Sequence, residues 1–136
     1  MKTIIITLLC VMSLNAQNIK SDGTHFIDGV KDSKWSNSNG KDFTNASFSD
    51  FNGSCYVNLE VDRTTEVSFR SLSEVKKGRI EVTLLDENEN KYFYCNTTDK
   101  CDLQKDIVLE KGKKYRLYFT GDHAKGKYVV NWKLKK

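Results

Sequence analysis

From residue 54 onward, hydrophobic and polar residues alternate with a period of two along most of the chain. Because successive side chains of a strand point to opposite faces of a sheet, this alternation indicates strands with one buried face. The segments that show it are CYVNLEV, TEVSFR, RIEVTLLD, KYFYC, DIVLE, KKYRLYFT and GKYVVNWKL. No segment has the 3.6-residue period of an amphipathic helix. The pattern therefore predicts an all-β protein.

Turn-forming residues separate these segments at short intervals, at Lys77-Gly78, 87–90, Lys111-Gly112 and 121–126. Many short, closely spaced strands are typical of a sandwich or barrel. The 136 residues suffice for one domain and exclude a TIM barrel, a kinase or a two-domain dehydrogenase. We predict a single antiparallel, jelly-roll-like β-sandwich of about seven to nine strands.

The stretch 87–90 predicts the turn of one hairpin. In the simplest register, Leu84 faces Phe93 and Val82 faces Cys95. The opposite face then presents Leu85, Tyr92 and Tyr94. These three residues are candidate ligand-binding residues, because tyrosine rings anchor sugars and protein partners. The alternative is that a neighbouring loop covers them.

The stretch 121–126 predicts the turn of a second hairpin. Its inward-facing pairs are Phe119 with Tyr128, Leu117 with Val130, and Tyr115 with Trp132. Its other face carries further candidate ligand-binding residues, namely Lys114, Arg116, Tyr118 and Lys133. Residues 111–136 have a net charge of +8 and residues 17–110 one of −5. We therefore expect a basic terminal hairpin that attracts polyanions, unless its lysines only protect strand edges.

The first sixteen residues, MKTIIITLLCVMSLNA, have the organisation of a secretory signal peptide. Lys2 precedes an apolar run from Ile4 to Met12, which is shorter than the roughly twenty residues that cross a bilayer. We expect cleavage after Ala16, a β-sandwich domain over 17–136, secretion or a periplasmic location, and no transmembrane segment.

Three cysteines would remain after that cleavage, Cys55, Cys95 and Cys101. In an oxidising compartment a disulfide is expected, and the polar stretch NTTDK can bring Cys95 and Cys101 together. The alternative is a Cys55–Cys95 bond, because both positions fall on the inward face of the alternation. No histidine lies at ligand spacing from a cysteine, so we expect no metal site and no cofactor.

The segment 17–53 has a different composition. Between residues 31 and 54, 15 of 24 residues are Ser, Asn, Asp or Gly, which favour turns. We expect a loop-rich N-terminal part with short edge strands, anchored to the core by Trp35, Phe43, Phe48 and Phe51. Trp35 is also a candidate ligand-binding residue. The oxygens of Asp28, Asp32 and Asp42, with Asn37 and Asn39, offer calcium as a weaker alternative.

The run from Val67 to Trp132 contains Leu84-Leu85-Asp86 before a polar turn, Leu109 to Tyr115, Phe119-Thr120-Gly121 and Gly126-Lys127-Tyr128. With these features it resembles the pre-peptidase C-terminal type of β-sandwich module of exported bacterial proteins. The resemblance covers about half of the chain beyond the signal peptide. It implies an accessory or ligand-binding role without catalytic residues.

No G-x-S-x-G motif or phosphate-binding glycine loop is present, and His25 and His123 are the only histidines. We therefore expect a non-catalytic module that binds a glycan or an anionic cell-envelope ligand, and no nucleic acid. The alternative is a small exported protein–protein interaction factor, such as an inhibitor, an immunity protein or an adhesion component. A small hydrolase is a third hypothesis. Sequons at Asn45, Asn52 and Asn96 would be used only in a eukaryotic source.

Overall fold

A computed structural model describes residues 19–27, 32 and 34–135. It contains seven strands: β1 (Ile19–Phe26), β2 (Ser36–Asn39), β3 (Phe43–Val61), β4 (Thr65–Asp86), β5 (Lys91–Thr97), β6 (Lys100–Leu109) and β7 (Tyr115–Leu134). All their pairings are antiparallel and belong to one hydrogen-bonded sheet. The prediction of an all-β antiparallel sandwich is confirmed. Over the same residues, no helix is long and apolar enough to cross a membrane.

Three strands are long and bend in the middle. β3, β4 and β7 have 19, 22 and 20 residues, more than the usual three to ten. Their pairing register shifts between Phe48 and Gly53 in β3, and between Val75 and Arg79 in β4 opposite residues 122–126 of β7. Bulges of this kind bend a strand. Each of the three strands therefore contributes one half to each of two layers.

The two layers are named here after their edge strands. The β6 layer consists of β6, the first half of β4, the second half of β7, the first half of β3 and β2. The β5 layer consists of β5, the second half of β4, the first half of β7, the second half of β3 and β1. Rings meet between the layers: Phe119 stacks on Tyr128 at 3.9 Å, and Phe69 lies 5.7 Å from Phe93.

Side chains that face inward from both layers form one buried core. Its largest fully buried members are Trp132, Tyr115, Tyr128, Phe51, Phe69 and Phe119. Burial of an apolar side chain of this size contributes about 1.5–3 kcal/mol relative to leaving it exposed. These aromatic residues explain how a polar chain folds around a single core.

The structure confirms one predicted hairpin and corrects the other. Around the turn at 87–90, Leu84 pairs with Phe93 and Val82 with Cys95, as predicted. The hairpin around 121–126 is wrong, because β7 continues through that stretch and pairs with β3 and β4 on its two sides. The six residues predicted to face inward are nevertheless all buried. The ring of Phe119 meets that of Tyr128 between the layers, not across a hairpin.

Cys95 and Cys101 form the disulfide, with their Cα atoms 6.4 Å apart. The bond joins β5 in one layer to β6 in the other. Cys55 is buried and free, so the alternative Cys55–Cys95 pairing is wrong. Its Sγ lies 3.5 Å from the hydroxyl of Tyr128. Burial raises the pKa of the Cys55 thiol to about 11, although the hydrogen bond with Tyr128 opposes this shift.

The segment 17–53 has more regular structure than its composition predicts, because it contains β1, β2 and the first half of β3. Its asparagines and serines are accommodated at a sheet edge: the hydroxyl of Thr44 donates to Asn39 Oδ1 at 2.6 Å, and that of Ser21 to the carbonyl of Gly40 at 3.3 Å. The expected signal peptide and its cleavage after Ala16 lie outside the described residues.

Candidate ligand-binding face

Ring side chains form a row across the outer face of the β5 layer. The register places His25 of β1 beside Tyr56 of β3, and Tyr56 beside Tyr118 of β7. From Tyr118 the row continues through Thr83 of β4 to Tyr94 of β5. Directly opposed residues on neighbouring strands lie side by side on one face of a sheet. We call His25, Tyr56, Tyr118 and Tyr94 the aromatic row.

The rings of the row are held in a fixed arrangement. His25 and Tyr56 stack with centroids 5.1 Å apart, and Tyr56 and Tyr118 with centroids 6.1 Å apart, at interplanar angles of 18° and 16°. The guanidinium of Arg116 lies 4.1 Å from the centroid of the Tyr56 ring. Stacking and cation–π contacts stabilise such orientations. Tyr94, at the β5 end, is 46% exposed.

A polar network borders the row. Arg116 Nε donates to Asn58 Oδ1 at 3.2 Å, and Asn58 Nδ2 donates to Asp22 Oδ2 at 2.8 Å. The same carboxylate oxygen lies 2.9 Å from His25 Nε2. Burial alone would raise the pKa of Asp22, but the contacts with Asn58 and His25 outweigh it and lower the pKa. Asp22 is therefore ionised at neutral pH, and the face offers charged donors and acceptors together.

A groove of about 670 Å³ runs beside the row. Its lining combines Tyr118, Leu85 and Asn58 with two cations, Lys114 and Arg116, and five carboxylates, Asp22, Glu60, Asp86, Glu87 and Glu89. An apolar side chain and a ring thus lie next to carboxylate, amide and guanidinium groups. A concave surface of this composition fits a ligand that has apolar faces and many hydroxyl groups.

Five of the predicted ligand-binding residues meet on this face or at its border, although they were assigned to two separate hairpins. They are Leu85, Tyr94, Lys114, Arg116 and Tyr118. They meet because the second half of β4 lies between β5 and the first half of β7. The groupings predicted from the two hairpins thus become one surface.

Tyr92, in contrast, does not share the outer surface with Tyr94. The register shifts after the Leu84–Phe93 pair, and Leu85 pairs with Lys91. This irregularity turns Tyr92 toward the core, where its ring lies 5.6 Å from that of Tyr115. We therefore assign Tyr92 a structural role and withdraw it from the candidate site.

Trp35 and Lys133 also lie away from the row. Trp35 is half-buried, with its ring 5.1 Å from that of Phe51 and 5.7 Å from that of Phe48, and its contacts are those of a core residue. Lys133 pairs with Ser68 on the outer face of the β6 layer. The predicted basic hairpin face is therefore wrong, because Lys133 and Arg116 lie on opposite faces of the sandwich.

Four residues of this face were not predicted from the sequence to bind a ligand: Asp22, His25, Tyr56 and Asn58. Tyr56 and Asn58 alternate with the apolar residues of the segment CYVNLEV, so the alternation predicts that they face outward. His25 and Asp22 lie in a segment without a clear alternation. Only the β1–β3 register brings them to the row.

The histidines proposed for a hydrolase both contact carboxylates. His123 Nδ1 lies 3.1 Å from Asp50 Oδ1 on the surface, and His25 contacts Asp22.

The described residues do not support the calcium alternative, and Asp28, one of its five members, lies outside them. Burial raises the pKa of Asp32, but hydrogen bonds from the backbone of Asp50 and from the hydroxyl and backbone of Ser49 outweigh it and lower the pKa to about 2. Over residues 19–27, 32 and 34–135 no group of three His, Cys, Asp or Glu side chains could hold a metal ion.

Comparison with known proteins finds similarity only at the level of structure. No family model matches the chain, and no curated protein sequence matches it. The K1 cleaved adhesin domain of Lys-gingipain from Porphyromonas gingivalis W83 has a TM-score of 0.51 at 12% identity, with 86% of this chain and 97% of that chain covered. A CBM4 structure has a TM-score of 0.48 at 11% identity, with 80% of both chains covered. TmCBM61, in complex with β-1,4-galactotriose, has a TM-score of 0.45 at 14% identity, with 87% and 88% covered. At 12% identity, the likeness to the adhesin domain shows a shared fold alone.

Proposed function

We propose that this protein is an exported, non-catalytic glycan-binding module whose ligand lies on the aromatic row and in the groove beside it. The observation that carries the proposal is the row itself, which crosses the β5 layer from β1 to β5. These rings occupy outward-facing positions of β1, β3, β5 and β7, so the packing of the core does not account for them.

The chemistry of the face matches that of sugars. A sugar ring has apolar C–H faces and a rim of hydroxyl groups. Aromatic side chains supply apolar contact area with little loss of conformational entropy, and Arg116, Asn58 and Asp22 supply hydrogen-bond donors and acceptors. These polar groups already bind one another in fixed positions, which reduces the ordering cost of binding.

Export is part of the proposal. The organisation of residues 1–16 supports it, and a disulfide such as Cys95–Cys101 persists in an oxidising compartment. An accessory role without catalysis is also what the resemblance to pre-peptidase C-terminal modules implies. Several similar structures are named carbohydrate-binding modules, so glycans are the first ligand class to test.

The proposal is tested by applying the purified protein to an array of neutral and acidic glycans and measuring the tightest binder by calorimetry. We expect Tyr118→Ala to weaken that binding about tenfold or more, because Tyr118 is central in the row. Leu72→Ala, on the outer face of the β6 layer, is the control and should bind normally. Failure to bind any glycan, or equal affinities of the two variants, would contradict the proposal.

A further inference from the structure

We infer that a basic ridge at the bend of the sandwich, formed by Lys76, Lys77, Arg79 and Lys125, binds the anionic groups of an acidic polysaccharide. The sugar rings of the same ligand would lie on the exposed Tyr94 end of the aromatic row, away from the acidic groove. The inference rests on the proposed function and extends it, because it names the ligand class and a second contact surface.

The ridge concentrates like charges on the bulges of β4 and β7. Lys77 pairs directly with Lys125, and Lys76 and Arg79 flank this pair. All four side chains are exposed. Like charges directly opposite each other in a sheet are destabilising. An anionic ligand between the lysines would reduce this repulsion, and the pairing therefore favours anion binding.

The acidic residues near the ridge do not neutralise its positive charge. Glu74 is shared between Lys100 at 3.6 Å and Lys127 at 3.7 Å, and Asp50 pairs with His123. Within the described part of the chain, no carboxylate lies at ion-pair distance from the amino groups of the three ridge lysines. The four positive charges of the ridge exceed the three neighbouring carboxylates, those of Glu81, Asp99 and Asp122.

A chain of hydrogen bonds joins the ridge to the row. Arg79 Nη1 donates to Asn96 Oδ1 at 3.5 Å, and Asn96 Nδ2 donates to the hydroxyl of Tyr94 at 3.0 Å. Arg79 is therefore separated from the exposed end of the row by one amide side chain. A polymer that crosses Tyr94 toward the bend reaches Arg79 first and the lysines next.

A polysaccharide fits the ridge better than a membrane does. Apolar side chains at the bend are buried: Phe48 and Val75 are each 5% exposed, and Phe51 and Ala124 are fully buried. Membrane-surface binding normally combines basic residues with apolar side chains that enter the lipid. The ridge has the charges without such side chains, and the aromatic row adjoins it.

The test uses two acidic polymers, each with a neutral counterpart of the same backbone. Polygalacturonate is compared with its carboxyl-reduced form, and dextran sulfate with dextran. The purified protein should bind at least one acidic polymer about tenfold or more tightly than its counterpart, and binding should weaken as salt increases. The preferred polymer then identifies the anionic group as carboxylate or sulfate.

The ridge variant is Lys76→Gln, Lys77→Gln and Lys125→Gln together. It should lose about tenfold in affinity for the acidic polymer and show a weaker salt dependence. The control is the triple variant Lys41→Gln, Lys111→Gln and Lys133→Gln, which removes the same charge from exposed positions outside the ridge, the aromatic row and the groove. It should bind within about twofold of the parent protein, because its sites are distant from the ridge.

Other outcomes separate this inference from the proposed function. Equal binding of acidic and neutral polymers, or no loss in the ridge variant, overturns the inference and leaves glycan binding intact. Binding to phosphatidylglycerol vesicles without binding to either acidic polymer overturns it in favour of a membrane. If Tyr118→Ala also leaves all glycan binding unchanged, the proposed function fails as well.

Discussion

At the scale of single residues, Asp86 shows how one carboxylate organises a turn. Its oxygens accept hydrogen bonds from the hydroxyl of Tyr92 at 2.7 Å and from the backbone of Asn88 and Asn90 at 2.9 and 3.0 Å. Lys113 Nζ lies 3.7 Å away. The hydrogen bond from Tyr92 contributes most to lowering the pKa of Asp86, and burial opposes it. Asp86 therefore fixes the turn of the 87–90 hairpin as an anion.

This lowered pKa predicts acid sensitivity. The pKa of Asp86 is below the unfolded value of about 3.9, so its stabilising contribution is complete above that value and is lost as the pH falls toward the folded pKa. Asp86→Asn should be less stable than the parent protein at pH 7, and the difference should shrink below about pH 4. Urea unfolding between pH 7 and pH 2 measures this. A stability difference that is constant with pH would contradict the role given to Asp86.

The thiol of Cys55 makes a second residue-scale prediction. Cys55 is fully buried and its pKa is raised to about 11, so it is protonated and inaccessible at neutral pH. A thiol reagent such as DTNB should modify it only as fast as the protein unfolds, since the thiolate is the reactive form. Stoichiometric labelling within seconds under native conditions would show that the site opens without unfolding.

At the scale of elements, the bend of β4 depends on Gly78. Its φ of +72° lies in the left-handed region, and a Cβ there would collide with the backbone carbonyls of Asp122 and His123. Gly112 has a similar φ of +87°, but a Cβ there would meet nothing within 4 Å. Comparing the same substitution at the two glycines therefore separates the cost of backbone strain from that of steric collision.

We predict that Gly78→Ala destabilises the protein by more than the about 1–3 kcal/mol of backbone strain alone. Gly112→Ala is the matched control and should show the strain alone. Chemical denaturation of both variants gives the two free energies of unfolding. Equal losses would mean that the β7 backbone moves easily away from position 78, and the bend would then be less rigid than its packing indicates.

The disulfide is the second element-scale feature, because it ties edge strand β5 to edge strand β6. Replacing Cys95 and Cys101 together by Ser should cost about 2 kcal/mol, the entropy of closing so short a loop in the unfolded chain. Denaturation with and without reductant provides an independent measurement. If neither the double variant nor reduction changes the midpoint, the two strands are held by their other contacts alone.

Local sequence signals predicted the elements well where the contacts are local. The 87–90 hairpin and its Leu84–Phe93 and Val82–Cys95 pairs were predictable because four polar residues separate two alternating segments, but the register shift at Leu85 was not. Residues 121–126 have the same turn-forming composition, yet they form a bulge in a continuous strand. Glycine and aspartate favour both structures, so composition alone does not distinguish them.

At the scale of the whole molecule, the site depends on pairings between segments distant in sequence. His25 reaches Tyr56 only through the β1–β3 register, and Tyr56 reaches Tyr118 only through β3–β7. Registers of this kind are set by the packing of the complete core, which alternation within one segment does not specify. The sequence therefore predicted outward-facing residues such as Arg116 and Tyr118 but not the surface that they share.

The folded molecule also redistributes its charge. The basic C-terminal residues 111–136 pair with acids from other strands, for example Lys135 with Asp106 at 2.7 Å and Lys127 with Glu74 at 3.7 Å. Exposed pairs of this kind add little stability. Of the eight basic side chains that the structure describes in 111–135, three have such a partner, namely Lys113, Lys127 and Lys135. The unpaired ones include Lys125 of the ridge, so part of this positive charge lies at the bend.

The most direct test of glycan binding on the β5 layer is an NMR titration of the ¹⁵N-labelled protein with the tightest-binding oligosaccharide from the array. The largest chemical-shift changes should occur at the backbone amides of Tyr56, Tyr94 and Tyr118, and those of Leu72 and Val129 on the outer face of the β6 layer should stay unchanged. Changes concentrated on the β6 layer, with none along the aromatic row, would contradict the assignment of this face as the ligand site.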